Sequence, residues 1–451
     1  MQQTIKNKNY GRKKVMNKKQ LAIEKTYQSD SNTLCFDKTN LIEETSKNQN
    51  NLIGSFSKAV SVNELPVTDK SSKVDSTISS ENMESKTKKN YASIDLFKLI
   101  FSMLIIVLHV LTYALESLAV DGSAPTGADG GFLFKYVLPV GYSIIRLGVP
   151  FFFISSSFFL FKKIKQNPDN RKQIIIHYTK RILYLFLFWL VMWTPFLIIR
   201  YINSSLVWWQ AMLEVLYKTV LTGLFPTAWY LIASIYGTLF VNLLDRKKVP
   251  NLWIVIICSI IYVLPCMACS YFHLFDGTIF GEVLRQINSY VILYNSPLAG
   301  FVFIAIGKVL ADKNEILFEV KDKIMLAISF VLLFTEIFLL NIFGITSGTD
   351  CLILLPLTSY YFFKFVTNLK LKERPFYKTA RQFSTFLYVS HCFILELIFV
   401  VLNVLNINIF VGSYGLVPVL YLIILLSSFG LFCLFRKLST KKYGKIFKVS
   451  F

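Results

Sequence analysis

Charged residues and histidines are scarce in this 451-residue chain: Asp, Glu, Lys and Arg together make up 17%, and there are four His. Hydrophobic residues reach 54%, aromatic residues 16%, and the mean hydropathy is +0.51. So few polar residues cannot cover the surface of a water-soluble core of this size. The composition excludes an ordinary soluble protein and indicates an integral membrane protein.

Several signatures of other protein classes are also missing. The sequence has no Walker or Rossmann glycine motif, which argues against a nucleotide-driven pump or an NAD enzyme. No short apolar segment with a small-residue cleavage site follows the basic residues 1–20, so we expect no secretory signal peptide. Seven cysteines, an odd number, do not make a disulfide framework. Cys266 and Cys269 could form a redox or metal pair, but no second Cys/His pair lies nearby, and we expect small buried residues.

Positive charge is in large excess, with a formal net charge of +21. Nucleic-acid binding is one explanation of such a value. Most of the Lys and Arg residues, however, stand in short loops between apolar runs, where the topology of a membrane protein puts them. We therefore expect a lipid bilayer as the partner and no nucleic acid.

The chain divides into a polar tail and a membrane domain. Residues 1–90 are rich in Lys, Asn, Ser and Thr with no sustained period, which predicts a disordered cytoplasmic tail. Residues 91–451 contain about ten runs that approach the roughly 20 apolar residues needed to cross a bilayer. The predicted fold is all-α and polytopic, with spans near 94–114, 138–161, 174–200, 228–244, 252–271, 290–311, 324–343, 350–369, 383–405 and 415–437.

The distribution of basic residues predicts the orientation of these spans. The loops KKIKQNPDNRK and DRKK are strongly basic, whereas GITSGTD and NINIFVGSYG, on the other side, contain no Lys or Arg. This asymmetry predicts that both termini are cytoplasmic. Of two long external loops, residues 115–137 and 201–227, the second contains SLVWWQAMLEVLYKTVL, which predicts an interfacial helix with Trp208 and Trp209 in the headgroup layer.

The first span contains three ionisable residues, Asp95, Lys98 and His109. At about 100° per residue their spacings return to nearly one helix face, and about 16 Å separates Lys98 from His109 along the axis. Ionisable groups inside a membrane are costly and commonly functional. A buried neutral imidazole can act as a general base, and Lys98 can meet an anion arriving from the cytosol. The alternative is structural: Asp95 pairs with Lys98, and His109 bonds a neighbouring helix.

The stretch IDLFKLIFSMLIIVLH resembles the opening signature of the acyltransferase-3 family, in which a basic residue, usually Arg, precedes a His by eleven positions. Lys98 and His109 match this spacing, although Lys lacks the fork of Arg. RLGVPFFFISSSFFLFKK, beginning at Arg146, is similar to the family's second span, and LAGFVFIAIGKVLADK to its sixth. From the resemblance, Arg146 is expected to hold an acyl oxygen or a sugar group; a snorkelling interfacial Arg is the alternative.

Two further segments carry the resemblance. AWYLIASIYGTLF is similar to the family's Trp-Tyr-Leu segment, in which Trp229 and Tyr230 would stack on a sugar ring or simply join an aromatic belt. FSTFLYVSHCFILE is similar to the family's late Tyr-x-x-His motif and brings His391, in the cytoplasmic half of span nine, and Glu396 into the expected binding set. A structural His391 is the alternative.

The resemblance implies a membrane-bound O-acyltransferase of the bacterial plasma membrane. The expected reaction transfers an acyl group, usually acetyl, from cytoplasmic acetyl-CoA to a hydroxyl of a cell-surface or lipid-linked saccharide. His109 and Lys98 are the expected catalytic residues, with Asp95, Arg146, Trp229, Tyr230, His391 and Glu396 in binding roles and no metal. Other glycan-assembly proteins of the cell envelope are expected partners. Polysaccharide export, or delivery of acyl groups to a separate extracellular transferase, are the alternatives.

Overall fold

The structure is a computed structural model, and every element in its described part is helical. The predicted cytoplasmic tail and residues 121–137 of the first external loop lie outside the described residues, so the expectations for them stay predictions. Backbone alone is described at residues 112–120, 403, 416 and 445. The described residues are 91–120, 141, 144–204, 206–346, 348–405, 416–441 and 444–451.

The described part of the chain contains α-helices joined by short loops and 3₁₀ turns, which confirms the predicted all-α fold. We number the helices in chain order: α1 Ala92–Val120, α2 Gly148–Gln166, α3 Arg171–Ile202, α4 Trp208–Leu221, α5 Ala228–Arg246, α6 Asn251–Ala268, α7 Ile279–Tyr290, α8 Phe301–Asp312, α9 Val320–Ile342, α10 Leu355–Asn368, α11 Phe376–Val404 and α12 Leu416–Ser439.

Eight of these helices are long and apolar enough to cross a membrane: α1, α2, α3, α5, α6, α9, α11 and α12. The predicted polytopic membrane fold is therefore confirmed. The two other predicted spans, near 290–311 and 350–369, correspond to shorter helices. The α8 helix has 12 residues and follows two 3₁₀ turns, and α10 has 14 residues.

Polar contacts at the C-terminal end of α8 place that end at one face of the helix bundle. At its C-terminal end, Lys308 pairs with Asp245 at 2.7 Å, and Asp312 accepts a hydrogen bond from Asn251 at 2.8 Å. These residues lie at the adjoining ends of α5, α6 and α8. We call this the basic face, because Arg171 and Lys165 join the same network.

The opposite face is marked by contacts around residues 345–350. The amide of His273, beyond the end of α6, donates to the carbonyl of Ile345 at 2.9 Å, and Arg146 pairs with Asp350. The α10 helix starts just after Asp350 and ends near Lys364, which pairs with Asp322 at the start of α9. The α10 helix therefore runs between the two faces, and α8 ends at the basic face. That the basic face is cytoplasmic stays a prediction.

The α2 helix is central, and α12 is peripheral. Within the described residues, 67% of the apolar window of α2 is buried, against 17% for α12. Close packing of α2 on α8 depends on Gly307: a Cβ there would lie 1.9 Å from Ser157 Oγ and 2.5 Å from the Ile154 carbonyl oxygen. The lack of a side chain at Gly307 lets the two backbones approach, as small residues commonly do between membrane helices.

Two short helices lie outside the set of crossings. The predicted interfacial helix is present as α4, with no buried residues and with Trp208 and Trp209 exposed. A second one, α7 at Ile279–Tyr290, lies between the predicted spans 252–271 and 290–311 and overlaps the second by one residue. Its Ile279, Val283 and Ile287 are exposed along one side. Both have the pattern of helices that lie in a membrane interface.

Candidate active site

The α1 and α11 helices pack side by side and run in the same direction. Near their starts, Arg381 holds Asp95 through two hydrogen bonds, Nε to Oδ1 at 2.8 Å and Nη2 to Oδ2 at 2.6 Å. Further along, the rings of His109 and His391 have centroids 5.1 Å apart. Because the two contacts occur in the same order along both helices, the helices are parallel, as the first and ninth spans of the predicted topology should be.

The two histidines therefore meet inside the bundle, although 282 sequence positions separate them. His391 is buried at 1% exposure, while His109 is partly exposed, so one ring is enclosed and the other is open on one side. The sequence analysis placed His391 in the cytoplasmic half of its span. The helix begins at Phe376, seven residues before the predicted start at 383, so His391 lies near its middle.

Hydrogen bonds fix the orientation and the tautomer of His391. Its Nδ1 lies 2.9 Å from the carbonyl oxygen of Leu387, and its Nε2 lies 3.2 Å from Cys392 Sγ. A carbonyl only accepts, so Nδ1 carries a proton. In the neutral imidazole Nε2 then has the free lone pair and accepts from the thiol of Cys392, and the ring is aligned by the backbone of its own helix.

His109, His391 and Cys392 form one compact group, with their ligand-type atoms all within 4.8 Å of one another. Two imidazoles and a thiol at this spacing are compatible with a metal ion such as zinc. The same spacing suits a nucleophile and two bases in a group transfer. The absence of a metal from the reaction stays a prediction.

Aromatic side chains form one wall next to this group. The ring of Tyr388 lies 6.2 Å from His391 and 5.0 Å from Tyr230, between ring centroids. Tyr230 in turn lies 4.5 Å from Phe153, and Trp229 lies 6.0 Å from the same ring. The predicted Trp-Tyr pair of α5 is therefore in the same aromatic cluster that reaches His391.

Arg146 lies between the histidine pair and the face opposite the basic one. Its guanidinium pairs with Asp350, and it is also within electrostatic range of His109. The Nε atom of Arg146 is buried without a hydrogen-bond partner among the described residues. The common depth of Arg146 and His109 in the membrane stays a prediction.

The other end of the α1 polar stripe is cationic. Lys98 Nζ lies 5.6 Å from the centroid of the Phe159 ring, and Asp95, Arg381 and Arg181 act on it electrostatically. Within the described part of the chain the partner of Asp95 is Arg381 rather than Lys98. The structural alternative, an Asp95–Lys98 pair, is therefore not the one observed. Lys98, Arg181 and Arg381 form what we call the basic cluster.

Glu396 lies five residues beyond His391 on α11. Its side chain is buried, and Arg200, at the end of α3, is close enough to act on it electrostatically. It lies away from the basic cluster, on the Arg146 side of His391. The structure thus brings together His109, His391, Tyr230, Trp229 and Arg146, and separates them from Asp95 and Lys98 by the length predicted along α1.

Sequence reasoning missed four residues of this region. Cys392 directly follows His391 within the quoted YVSHCF segment, so adjacency was an available signal. Asp350 is the one acidic residue of the loop GITSGTD. Arg181 falls inside the predicted span 174–200 and Arg381 just before the predicted span 383–405. Nothing in the sequence shows that either side chain lies near Lys98 or Asp95.

A family model for an acyltransferase domain matches residues 91–437. This range includes every residue of the site and most of the chain. The chain therefore belongs to the acyltransferase-3 family, and the suspected resemblance is confirmed. The class of protein is a multi-pass membrane acyltransferase.

Two similar curated proteins are named amino-acid racemase, both from Enterococcus faecalis. One is 25% identical over 296 residues, which cover 63% of this chain and 37% of the relative. The other is 26% identical over 155 residues, 34% of this chain and 19% of the relative. The chain thus spans about a third or less of the length of the curated relatives it matches. No solved structure matches the chain.

Proposed function

We propose that the protein transfers an acyl group, in the first place acetyl, from cytoplasmic acyl-CoA to a hydroxyl of a cell-surface or lipid-linked saccharide, in the bacterial plasma membrane. The observation that carries the proposal is the His109–His391 pair, with ring centroids 5.1 Å apart inside the bundle. Imidazoles are the usual groups for moving a hydroxyl proton near neutral pH.

The basic cluster supports an anionic donor. Coenzyme A carries several phosphate charges, and Lys and Arg side chains are the usual phosphate ligands in proteins. Lys98 and Arg381 lie near the start of α1 and α11, at the face for which the loop charges predict a cytoplasmic location. An acyl-CoA whose phosphates bind there would extend along α1, with its thioester directed towards His109.

In the proposed reaction His109 takes the proton of the attacking acceptor hydroxyl, because its ring is the more open of the two. The partly exposed Arg146 guanidinium would stabilise the negative charge that develops on the acyl oxygen. The chemistry requires no metal. Lys98 acts on the donor at the other end of the stripe and does not reach the acyl carbon.

The aromatic wall supports a saccharide as the acceptor. Trp229 and Tyr230 are each partly exposed, and they adjoin Tyr388 next to His391. Aromatic faces of this kind commonly stack on sugar rings, with a polar edge left for hydroxyls. The acceptor would enter from the Arg146 side, where proteins of cell-envelope glycan assembly would deliver it.

We do not propose that this protein racemises amino acids. Only residues 1–90 and 438–451 of the chain lie outside the acyltransferase domain, so a match of 296 residues must overlap that domain. The relative is named for a protein most of whose length lies outside the match. We infer that the shared part is the membrane domain.

The test is the O-acetyl content of purified surface polysaccharide, measured by NMR in a deletion strain complemented with wild type, His109→Gln or Lys98→Arg. We expect deletion and His109→Gln to abolish the acetyl signals while polymer still reaches the surface. Lys98→Arg, which keeps the charge, should retain them. If the deletion strain instead keeps its polymer inside the cell and the polymer is acetylated normally, the result supports polysaccharide export. If the deletion strain exports its polymer normally with unchanged acetylation, both acyl transfer and export are refuted.

A further inference from the structure

We propose that Cys392 receives the acyl group from the donor thioester and passes it to the acceptor hydroxyl, so that transfer proceeds through an acyl-cysteine. The inference deepens the proposed function and rests on it. It names a covalent intermediate and a nucleophile that neither the family match nor the relatives assign.

The first observation is the hydrogen bond between Cys392 Sγ and His391 Nε2, at 3.2 Å. A thiol becomes a strong nucleophile when a base removes its proton. His391 has its free lone pair on the nitrogen that faces the thiol, because Nδ1 donates to the Leu387 carbonyl oxygen at 2.9 Å. Nucleophile, base and orienting acceptor are therefore aligned in the order that covalent catalysis uses.

The second observation is that His109 lies close to the same sulfur. The ligand-type atoms of His109, His391 and Cys392 all lie within 4.8 Å of one another. An acyl group on Sγ is therefore within reach of a hydroxyl whose proton is accepted by His109. Two histidines in one site then have separate tasks: His391 activates the thiol, and His109 activates the acceptor.

The two half-reactions balance without an oxidant or reductant. In the first, Sγ attacks the thioester carbonyl carbon, the bond between sulfur and carbon in the donor breaks, and the thiol proton passes through His391 Nε2 to the departing thiolate. In the second, the acceptor oxygen attacks the acyl carbon and the Sγ–carbon bond breaks. The hydroxyl proton moves to His109 and returns to Cys392 Sγ. The products are the free donor thiol and an ester.

The location of Cys392 agrees with this role. The side chain is 6% exposed, so an acyl-cysteine there would be shielded from bulk water. Shielding matters because a thioester in contact with water would be lost to hydrolysis. The exposed Cys433 on α12 offers a matched control, since it is a cysteine of the same chain at a peripheral position.

The experiment uses the purified full-length protein in liposomes with radiolabelled acetyl-CoA and no acceptor, followed by denaturing gels and mass spectrometry. We expect label on Cys392, released by neutral hydroxylamine, in wild type and Cys433→Ala. Cys392→Ala should carry no label. Cys392→Ser is nearly isosteric with the wild type and serves as the second variant if Cys392→Ala does not fold. It should carry either no label or a label bound as an ester that resists neutral hydroxylamine.

The same variants are scored for surface-glycan O-acetylation in cells. We expect Cys392→Ala and Cys392→Ser to lower the rate at least about 100-fold, the range expected for losing a reacting group. Wild-type acetylation by properly inserted Cys392 variants would overturn the relay and leave the proposed function intact. A bound metal ion that is lost in Cys392→Ser would also overturn it, since the sulfur would then be a ligand. Absence of acetylation by the wild type would refute the proposed function itself.

Discussion

Arg381 holds both carboxylate oxygens of Asp95, at 2.8 and 2.6 Å, and so joins the first and the penultimate long helices of the bundle. The Asp95 side chain is 3% exposed, whereas that of Arg381 is 61% exposed. The negative charge of the buried Asp95 carboxylate is thus neutralised by an arginine that extends from the adjacent helix. The pair fixes the register of α1 against α11, and that register sets His109 opposite His391.

Removing the arginine should therefore destabilise the bundle. Arg381→Ala leaves the Asp95 carboxylate buried without its two donors, at a cost of about 1.5–3 kcal/mol for hydrogen bonds to a charged group. The thermal unfolding of detergent-solubilised protein measures this. Asp95→Asn in the Arg381→Ala background should recover part of the loss, because the uncompensated charge is then gone. Arg436→Ala at the end of α12 is the control; an equal loss there would contradict the argument.

Glu336 should be structural, although it is an acidic residue inside a membrane helix. Its carboxylate accepts hydrogen bonds from the amides of Ile353 and Leu354, at 2.7 and 3.0 Å, and from Tyr271 Oη at 2.7 Å. Glu336 therefore supplies hydrogen-bond acceptors for main-chain amides that precede the first turn of α10. Glu336→Ala should cost about 1–3 kcal/mol for each donor left buried without a partner. Acyl transfer per folded molecule should stay near wild type, and a selective loss of turnover would place Glu336 in the chemistry instead.

Gly307 and Gly430 form a matched pair for testing helix packing. A Cβ at Gly307 would collide with Ser157 Oγ and the Ile154 carbonyl oxygen, whereas one at Gly430 would meet nothing within 4 Å. Gly307→Ala should therefore cost about 1–3 kcal/mol of overpacking, while Gly430→Ala should not destabilise. Ser157→Ala should not restore Gly307→Ala fully, because the clash with backbone remains. Equal melting temperatures for the two glycine variants would refute the packing described for α2 and α8.

The Arg146–Asp350 pair should matter for acyl transfer, because Arg146 is proposed to stabilise the negative charge on the acyl oxygen. Asp350→Asn keeps the side-chain shape but removes the ion pair that holds the guanidinium. Because a displacement of about 1 Å can cost up to about 100-fold in rate, we expect at least a tenfold loss in transfer to saccharide. Loading of acetyl onto the protein should fall as well, because the same acyl oxygen becomes negatively charged when the donor thioester is attacked. Asp276→Asn, an exposed acid paired with His273 and Arg285, is the control; a matching loss there would point to a general charge effect.

The fold could be predicted from the sequence because the membrane imposes a strong pattern. Long apolar runs and the charges between them predict α3, α5, α6, α9 and α12 within about four residues at each end. The start of α2, however, lies ten residues after its predicted start, and that of α11 seven residues before. The lengths of α8 and α10 could not be predicted, since hydropathy does not separate a helix from the 3₁₀ turns and loops that precede it. The amphipathic α7 was missed for a related reason: 12 residues are too few to stand out in a search for spans.

The site could be predicted only in part. The spacing of Lys98 and His109 on one helix face follows from helical geometry, and the resemblance adds His391 and Arg146. The contacts between helices could not be predicted, because they depend on the register of α1 against α11. Thus Asp95 was expected to bind a ligand or to pair with Lys98, and its actual partner, Arg381, lies 286 positions away. A role for the adjacent Cys392 can be inferred only once the structure shows that Nε2 of His391 faces its sulfur.

The most direct test of the account is a double-mutant cycle on the two histidines. Acetyl transfer to surface glycan is measured for wild type, His109→Gln, His391→Gln and the double variant, each normalised to folded, membrane-inserted protein. We predict that each single change lowers the rate at least about 100-fold and that the double variant is little worse than either, because the two imidazoles serve one reaction. A single variant that keeps transfer within threefold of wild type would contradict the claim that this pair is the acyl-transfer centre.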